Sequence, residues 1–182
     1  MRRLLIIALL ATPFMLIQQA NAKESAVELD GESFISKFAS NPANGDKLLE
    51  FIRENETLEN WTKLVGYRYQ QLPGVGNDPV KLAQSMAMLL KARGHMSQVT
   101  ENRRLSEAMI DFITGPKNGI LEFNIFRYAK SADNTGIISL QFAHRFTDTS
   151  SASVERILKL RDTWIKQAVA FDMKTIQDAL IQ

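Results

Sequence analysis

The chain has 182 residues, with 22 Lys and Arg against 20 Asp and Glu, two His, no Cys and 45% apolar residues. This length fits one domain, and the apolar share is that of a globular chain rather than a disordered one. The lack of cysteine excludes a disulfide framework, a Cys-based zinc or iron–sulfur site, a Cys nucleophile and a lipid-modified N-terminal Cys.

Met1-Arg2-Arg3 is a short positive start, Leu4 to Ile17 is an apolar run broken only by Thr12-Pro13, and Ala20-Asn21-Ala22 is a small-x-small site. This is the pattern of a signal peptide, and the run falls short of the roughly 20 apolar residues of a spanning helix. Residues 1–22 are read as a signal peptide cleaved after Ala22, and residues 23–182 as a single α+β domain. An uncleaved N-terminal anchor is the competing reading. Export places the mature chain in the periplasm of a Gram-negative cell, or outside it, with no stable transmembrane anchor. Loss of Arg2 and Arg3 with the leader balances acidic and basic residues. A neutral chain without a basic block lacks the footprint for phosphate backbones, so nucleic acid is not an expected partner.

In chain order, Val27 to Phe38 is a candidate strand. Lys47 to Arg53 and Thr62 to Leu72 are two more, the latter with Val65, Tyr67 and Tyr69 on one face. Gly74-Val75-Gly76 precedes a helix, which raises the question of a phosphate cradle. The P-loop lysine and the third dinucleotide-fold glycine are both absent, so it reads as a turn. A helix is predicted from Pro79 to Arg93. Asp78 is its N-cap, Pro79 its first residue and Gly94 its stop, with Leu82, Ala83, Met86, Leu89 and Leu90 on one stripe.

The period then changes to two. Ala108, Ile110 and Phe112, then Leu121, Phe123 and Ile125, then Ile138, Leu140 and Phe142 mark three antiparallel strands. Turn compositions at Gly115–Gly119 and Ser131–Gly136 separate them. The expected registers set Glu122 opposite Arg145, a pair worth about 0.2–1 kcal/mol, and Asp111 opposite Asn124. A helix starting in Thr149-Ser150-Ser151 carries Val154, Ile157, Leu158, Ile165, Ala168 and Val169 at helical spacing. A shorter one, Met173 to Leu180, follows Asp172 as cap.

The stretch Leu48-Leu49-Glu50-Phe51-Ile52-Arg53-Glu54-Asn55-Glu56-Thr57-Leu58-Glu59-Asn60-Trp61-Thr62, running on to Leu72, resembles exported bacterial proteins of the Mog1/PsbP-like group. The order of strands, helix, three strands and terminal helix is similar too. The resemblance implies an antiparallel β-sheet flanked by α-helices, an αβα sandwich, serving as an assembly or binding module rather than an enzyme. It carries over no ligand-contacting residue.

The chemistry-bearing residues are sparse. His144 shares its expected face with Leu140, Phe142 and Phe123 and reads as a packed or rim histidine. His95 follows the helix stop and reads as an exposed loop residue. No His spacing suits a metal. Trp61 and Trp164 read as core plugs, and Met86, Met88 and Met96 as core filler. The cation–aromatic groupings Arg68 with Tyr69 and Arg127 with Tyr128 are the candidate interaction residues, since such groups suit protein interfaces. No catalytic residue, metal ligand or cofactor is expected. The sequence therefore predicts a non-enzymatic, exported protein-binding or assembly accessory whose partner is another envelope protein. The alternative is a small-molecule or envelope-component binding module. A hydrolase ranks third, because no catalytic set is visible.

Overall fold

The computed structural model describes residues 26–181. The predicted signal peptide lies outside them. The sequence predicts six strands and three helices, and the described residues form eight strands: β1 (Ala26–Leu29), β2 (Glu32–Ser40), β3 (Lys47–Ile52), β4 (Lys63–Gln70), β5 (Ser97–Asn102), β6 (Glu107–Lys117), β7 (Ile120–Lys130) and β8 (Ile137–Phe146). Helices α1 (Pro79–Ala92), α2 (Ser151–Ala170) and α3 (Met173–Leu180) complete the set, with a single 3-10 turn at Pro73–Val75. The strands form one antiparallel sheet in the order β1-β2-β3-β4-β8-β7-β6-β5. Two four-stranded meanders thus join at β4 and β8, and α1 carries the chain from the middle of the sheet to its far edge.

Local chemistry sets the boundaries. Asp78 accepts from the backbone N–H groups of Val80 and Lys81, Ser150 caps α2 and Asp172 caps α3, as their side chains predict. Val27 to Phe38 holds a hairpin rather than one strand. Asp30 (φ 55°) and Gly31 (φ 69°) both lie in the left-handed region, the geometry that Asp-Gly supplies in a two-residue hairpin turn. Asn118-Gly119 makes the same turn between β6 and β7, so those strands run deeper into the expected loop. Strand β5 was not expected, because only Val99 in Ser-Gln-Val-Thr-Glu-Asn points at a core.

The β7–β8 register is the expected one, with Glu122 opposite Arg145. The β6–β7 register is not. Asp111 lies opposite Ile125, one residue away from the expected Asn124, and a bulge at Gly115-Pro116 takes up the offset. That slip turns Asp111 to the apolar side, where Arg161 of α2 meets it with two bonds of 2.7 Å.

The αβα sandwich expected from the sequence is not what forms. The chain is mostly sheet, about 41% strand and 29% helix among the described residues. One face carries the main core. There Phe34, Phe51, Val65, Tyr67, Phe123, Ile125, Leu140 and Phe142 meet Ile157, Trp164 and Ala168 of α2 and Ile176 and Leu180 of α3. The opposite face has only α1, whose Leu82, Ala83, Met86 and Leu90 cover Ala108, Ile110, Phe112, Phe126 and Tyr128 at the β5–β7 end. The reason is width. Strands spaced about 4.8 Å apart make a sheet of eight some 34 Å across, and one helix about 10 Å wide covers roughly a third of it. Over β2, β3 and β4 this face has no helix.

Candidate functional site

The bared half of the sheet is where polar side chains collect. Pleat alternation puts Glu50 of β3, Gly66 and Arg68 of β4, and Ser139 and Gln141 of β8 on the side away from α2 and α3. Glu50, Gly66 and Gln141 lie in one cross-strand row, and Leu48, Arg68, Ser139 and Tyr128 in the next. A Cβ on Gly66 would stand 3.3 Å from both Cβ and Oε1 of Gln141, so the bare glycine lets that side chain lie across the strand.

From Gln141 a polar seam runs down the sheet. Gln141 Nε2 donates to Asn124 Oδ1 (3.2 Å), Asn124 Nδ2 to Glu122 Oε1 (3.0 Å) and Arg145 Nε to Glu122 Oε2 (3.1 Å). The Arg145 guanidinium then sits 3.6 Å from the centre of the Trp61 ring. The seam divides the α1 core from a small cluster of Ile52, Trp61, Leu64 and Ala143. At its upper end the satisfaction stops. Arg68 Nε and Gln141 Oε1 are buried and find no partner among the described residues. Buried polar atoms are normally paired, so these two on the helix-free face are exceptions, as are Glu56 Oε2, Tyr67 Oη, His144 Nδ1 and Gln167 Oε1 elsewhere among the described residues. Beside them a shallow depression of about 170 Å³ is lined by Ser40, Pro42, Asp46, Lys47, Leu48, Arg68 and Gln70.

Burial pushes the Glu50 carboxyl above its usual range, and Arg68 only partly opposes this. The folded state therefore disfavours the charged form, and the penalty appears as pH rises above the unfolded value of 4.5. Glu50→Gln should raise the denaturation midpoint at neutral pH and leave it unchanged below that value. Urea titrations at the two pH values check this.

One protein-family model, that of an uncharacterised family, matches residues 21–173. The chain belongs to that family. No curated protein and no solved structure matches it, and nothing in these comparisons links it to Mog1/PsbP-like proteins.

Of the four interaction residues expected from the sequence, the structure leaves one on the open face. Arg68 is there. Tyr128 shares its row across Ser139 but is buried under α1 with Phe126, and burial raises its hydroxyl well above the ordinary tyrosine range. Tyr69 faces the main core, where its hydroxyl meets Thr135 Oγ1 at 2.8 Å and accepts from Gln71 Nε2. Its ring lies against Gly136, where an added Cβ would come within 2.6 Å. Gly136→Ala should therefore cost about 2 kcal/mol through overpacking, seen as a lower urea midpoint with an unchanged slope. Arg127 is an anchor for α2: its Nη1 donates to the carbonyls of Ala168, Val169 and Phe171, and its Nε and Nη2 to Glu107.

A second charged cluster lies at the opposite face's edge. Lys63 is buried between Asp30 (2.6 Å) and Glu32, and Glu32 also pairs with Arg53. Asp30 accepts from Trp164 Nε1 and Gln167 Nε2 as well. Burial works to raise the Asp30 carboxyl, but the Lys63, Gln167 and Trp164 bonds outweigh it and hold it below the usual range. Its work is to tie the β1–β2 turn to α2. His144 packs against Phe146 (4.1 Å between centres) and Trp164 (5.2 Å), and burial with nearby Lys63 and Arg53 pushes its pKa down to about 4. It is the packed histidine its pattern predicts. Trp61 and Trp164 are both buried plugs, and Met86 is core, but Met88 and Met96 are exposed rather than core filler. His95 is half-buried after the end of α1, where its N–H donates to Leu90.

The sequence signal that would have found Glu50 and Gln141 is a polar residue at the middle of an apolar strand. Leu-Leu-Glu-Phe-Ile and Leu-Gln-Phe both carry it. Among the described residues no group of three His, Asp or Glu side chains gathers as a ligand set, and no helix is long and apolar enough to cross a membrane.

Proposed function

We propose that the protein is an exported, non-enzymatic binding module of the cell envelope, and that it takes another envelope protein on the open face of β3, β4 and β8. The observation that carries this is the pair of buried, unpartnered atoms, Arg68 Nε and Gln141 Oε1, on a half-sheet without a helix. A partner that docks on this face and draws the two side chains outward gives each an opposite number, the guanidinium donating to a carbonyl or carboxylate and the amide oxygen accepting from a donor. Half-buried Phe38 and Leu48 flank the polar groups and supply the apolar contact that a protein interface needs. Shape favours a protein over a small molecule. The depression at Arg68, about 170 Å³ and open to solvent, is smaller than the 300–1,000 Å³ typical of small-ligand sites. The leader pattern and the balanced mature charge support export and argue against nucleic acid.

The test is capture of partners from the native envelope by the mature chain. Wild type and Lys166→Glu, on the exposed side of α2, should retain the same protein, and Arg68→Glu should lose it while still folded at the assay temperature. Equal capture by Arg68→Glu would place the partner elsewhere and defeat the proposal.

A further inference from the structure

Charged side chains that this fold takes partly out of water are given partners. Asp30, Glu32, Glu56, Glu107, Asp111 and Glu122 each face a cation, and Arg53, Lys63, Arg127, Arg145 and Arg161 are the cations they face. Lys47 donates to the Leu180 carbonyl, and Asp46 and Asp78 accept from backbone N–H groups. Glu50 and Arg68 are different. Both are half-buried, and among the described residues neither has a hydrogen-bond or ion-pair partner. Lys37, beside Phe38 on β2, is turned to the Glu54 carbonyl at 3.2 Å, so Arg68 is the charge that acts on Glu50. Glu50 stands opposite Gly66, and Arg68 lies two residues further along β4. That diagonal holds the two residues about 7–8 Å apart on one face.

Given that the open face is the binding surface proposed above, we infer that the protein it takes carries a cation and a carboxylate about 7–8 Å apart, the cation for Glu50 and the carboxylate for Arg68. Charge complementarity selects this occupant. A partner of one sign would satisfy one of the two residues and repel the other. A half-buried carboxylate without a partner weakens the free chain, and a cation that arrives from outside offsets that cost. Each charge also has an apolar neighbour directly across the strands, Phe38 beside Glu50 and Leu48 beside Arg68. Covering those two side chains excludes water from both ion pairs and strengthens them.

The probe is the envelope protein that wild type retains, purified and titrated calorimetrically into each variant. At neutral pH, Glu50→Gln and Arg68→Gln should each bind it about tenfold or more weakly than wild type. Glu50→Gln should do so while resisting urea better than wild type, which separates the loss of binding from a loss of folding. Pairing with a cation favours the charged form of Glu50, so the complex releases protons as it forms. The advantage of wild type over Glu50→Gln should therefore shrink between neutral pH and about pH 5. Wild-type affinity in either variant would overturn the inference. In Glu50→Gln alone, that result leaves the open face as the binding surface. In both variants it removes the face as well, as would a wild type that retains no protein.

Discussion

Arg161→Ala should lower stability by about 3–5 kcal/mol, the largest loss expected from any surface-helix substitution in the chain. Asp111 is nearly fully buried on the apolar side of β6, and Arg161 meets both its oxygens at 2.7 Å while donating to Gln98 at 2.8 Å. Removing the guanidinium strands a carboxylate among Met109, Ile125 and Ile113, where desolvation is unfavourable and no other cation among the described residues is bonded to it. The melting temperature should fall by roughly 10 °C on the size scaling for a domain of this length. Replacing both partners with apolar residues, Asp111→Leu with Arg161→Met, should recover most of the loss, because the buried charge disappears with its partner. A single variant within 1 kcal/mol of wild type, by urea denaturation, would mean that Asp111 is solvated.

Arg127→Ala should follow at about 2–4 kcal/mol. Its side chain is 14% exposed and satisfies three carbonyls at the C-terminal end of α2, at 3.2, 2.8 and 2.8 Å, while pairing with Glu107 at 2.8 Å. Those carbonyls are the ones that a helix leaves open at its end, and a cation there also suits the helix dipole. Arg127→Lys should recover only part of the loss, since one ammonium cannot reach both the carbonyls and Glu107. The same variant separates two roles for the residue. As a helix anchor, Arg127→Ala weakens folding and leaves partner capture intact below its melting temperature. As a binding residue it would weaken capture without a change in stability.

These two arginines show where sequence patterns stop. The helix caps Asp78, Ser150 and Asp172 were legible because capping is decided within three residues of chain. The β7–β8 register was legible because its loop is short and Glu122 has Arg145 to meet. The β6–β7 register was misread by one residue. The expected register keeps Asp111 from facing Glu122, but the ion pair that holds Asp111 on the apolar side comes from a helix fifty residues on. Arg127 looked like an interface residue for the same reason: nothing near Tyr128 in the chain shows that the end of α2 will arrive there. The sandwich expectation failed on a count of widths. Each helix was placed well, but eight strands were more than three helices could cover. The open face is a product of that shortfall; Arg68 stands out in the sequence by its tyrosine neighbours, whereas Glu50 and Gln141 show only as polar interruptions that a solvated face would equally explain.

On the proposed function, the open face around Arg68 is the surface that binds. It is tested most directly by placing a photo-cross-linking residue at Leu48, on that face beside Arg68, and at Lys159, on the exposed side of α2, and irradiating each in the native envelope. A discrete adduct to one protein from position 48 and none from position 159 is the predicted result. Adducts from position 159 alone, or from neither position, would contradict it.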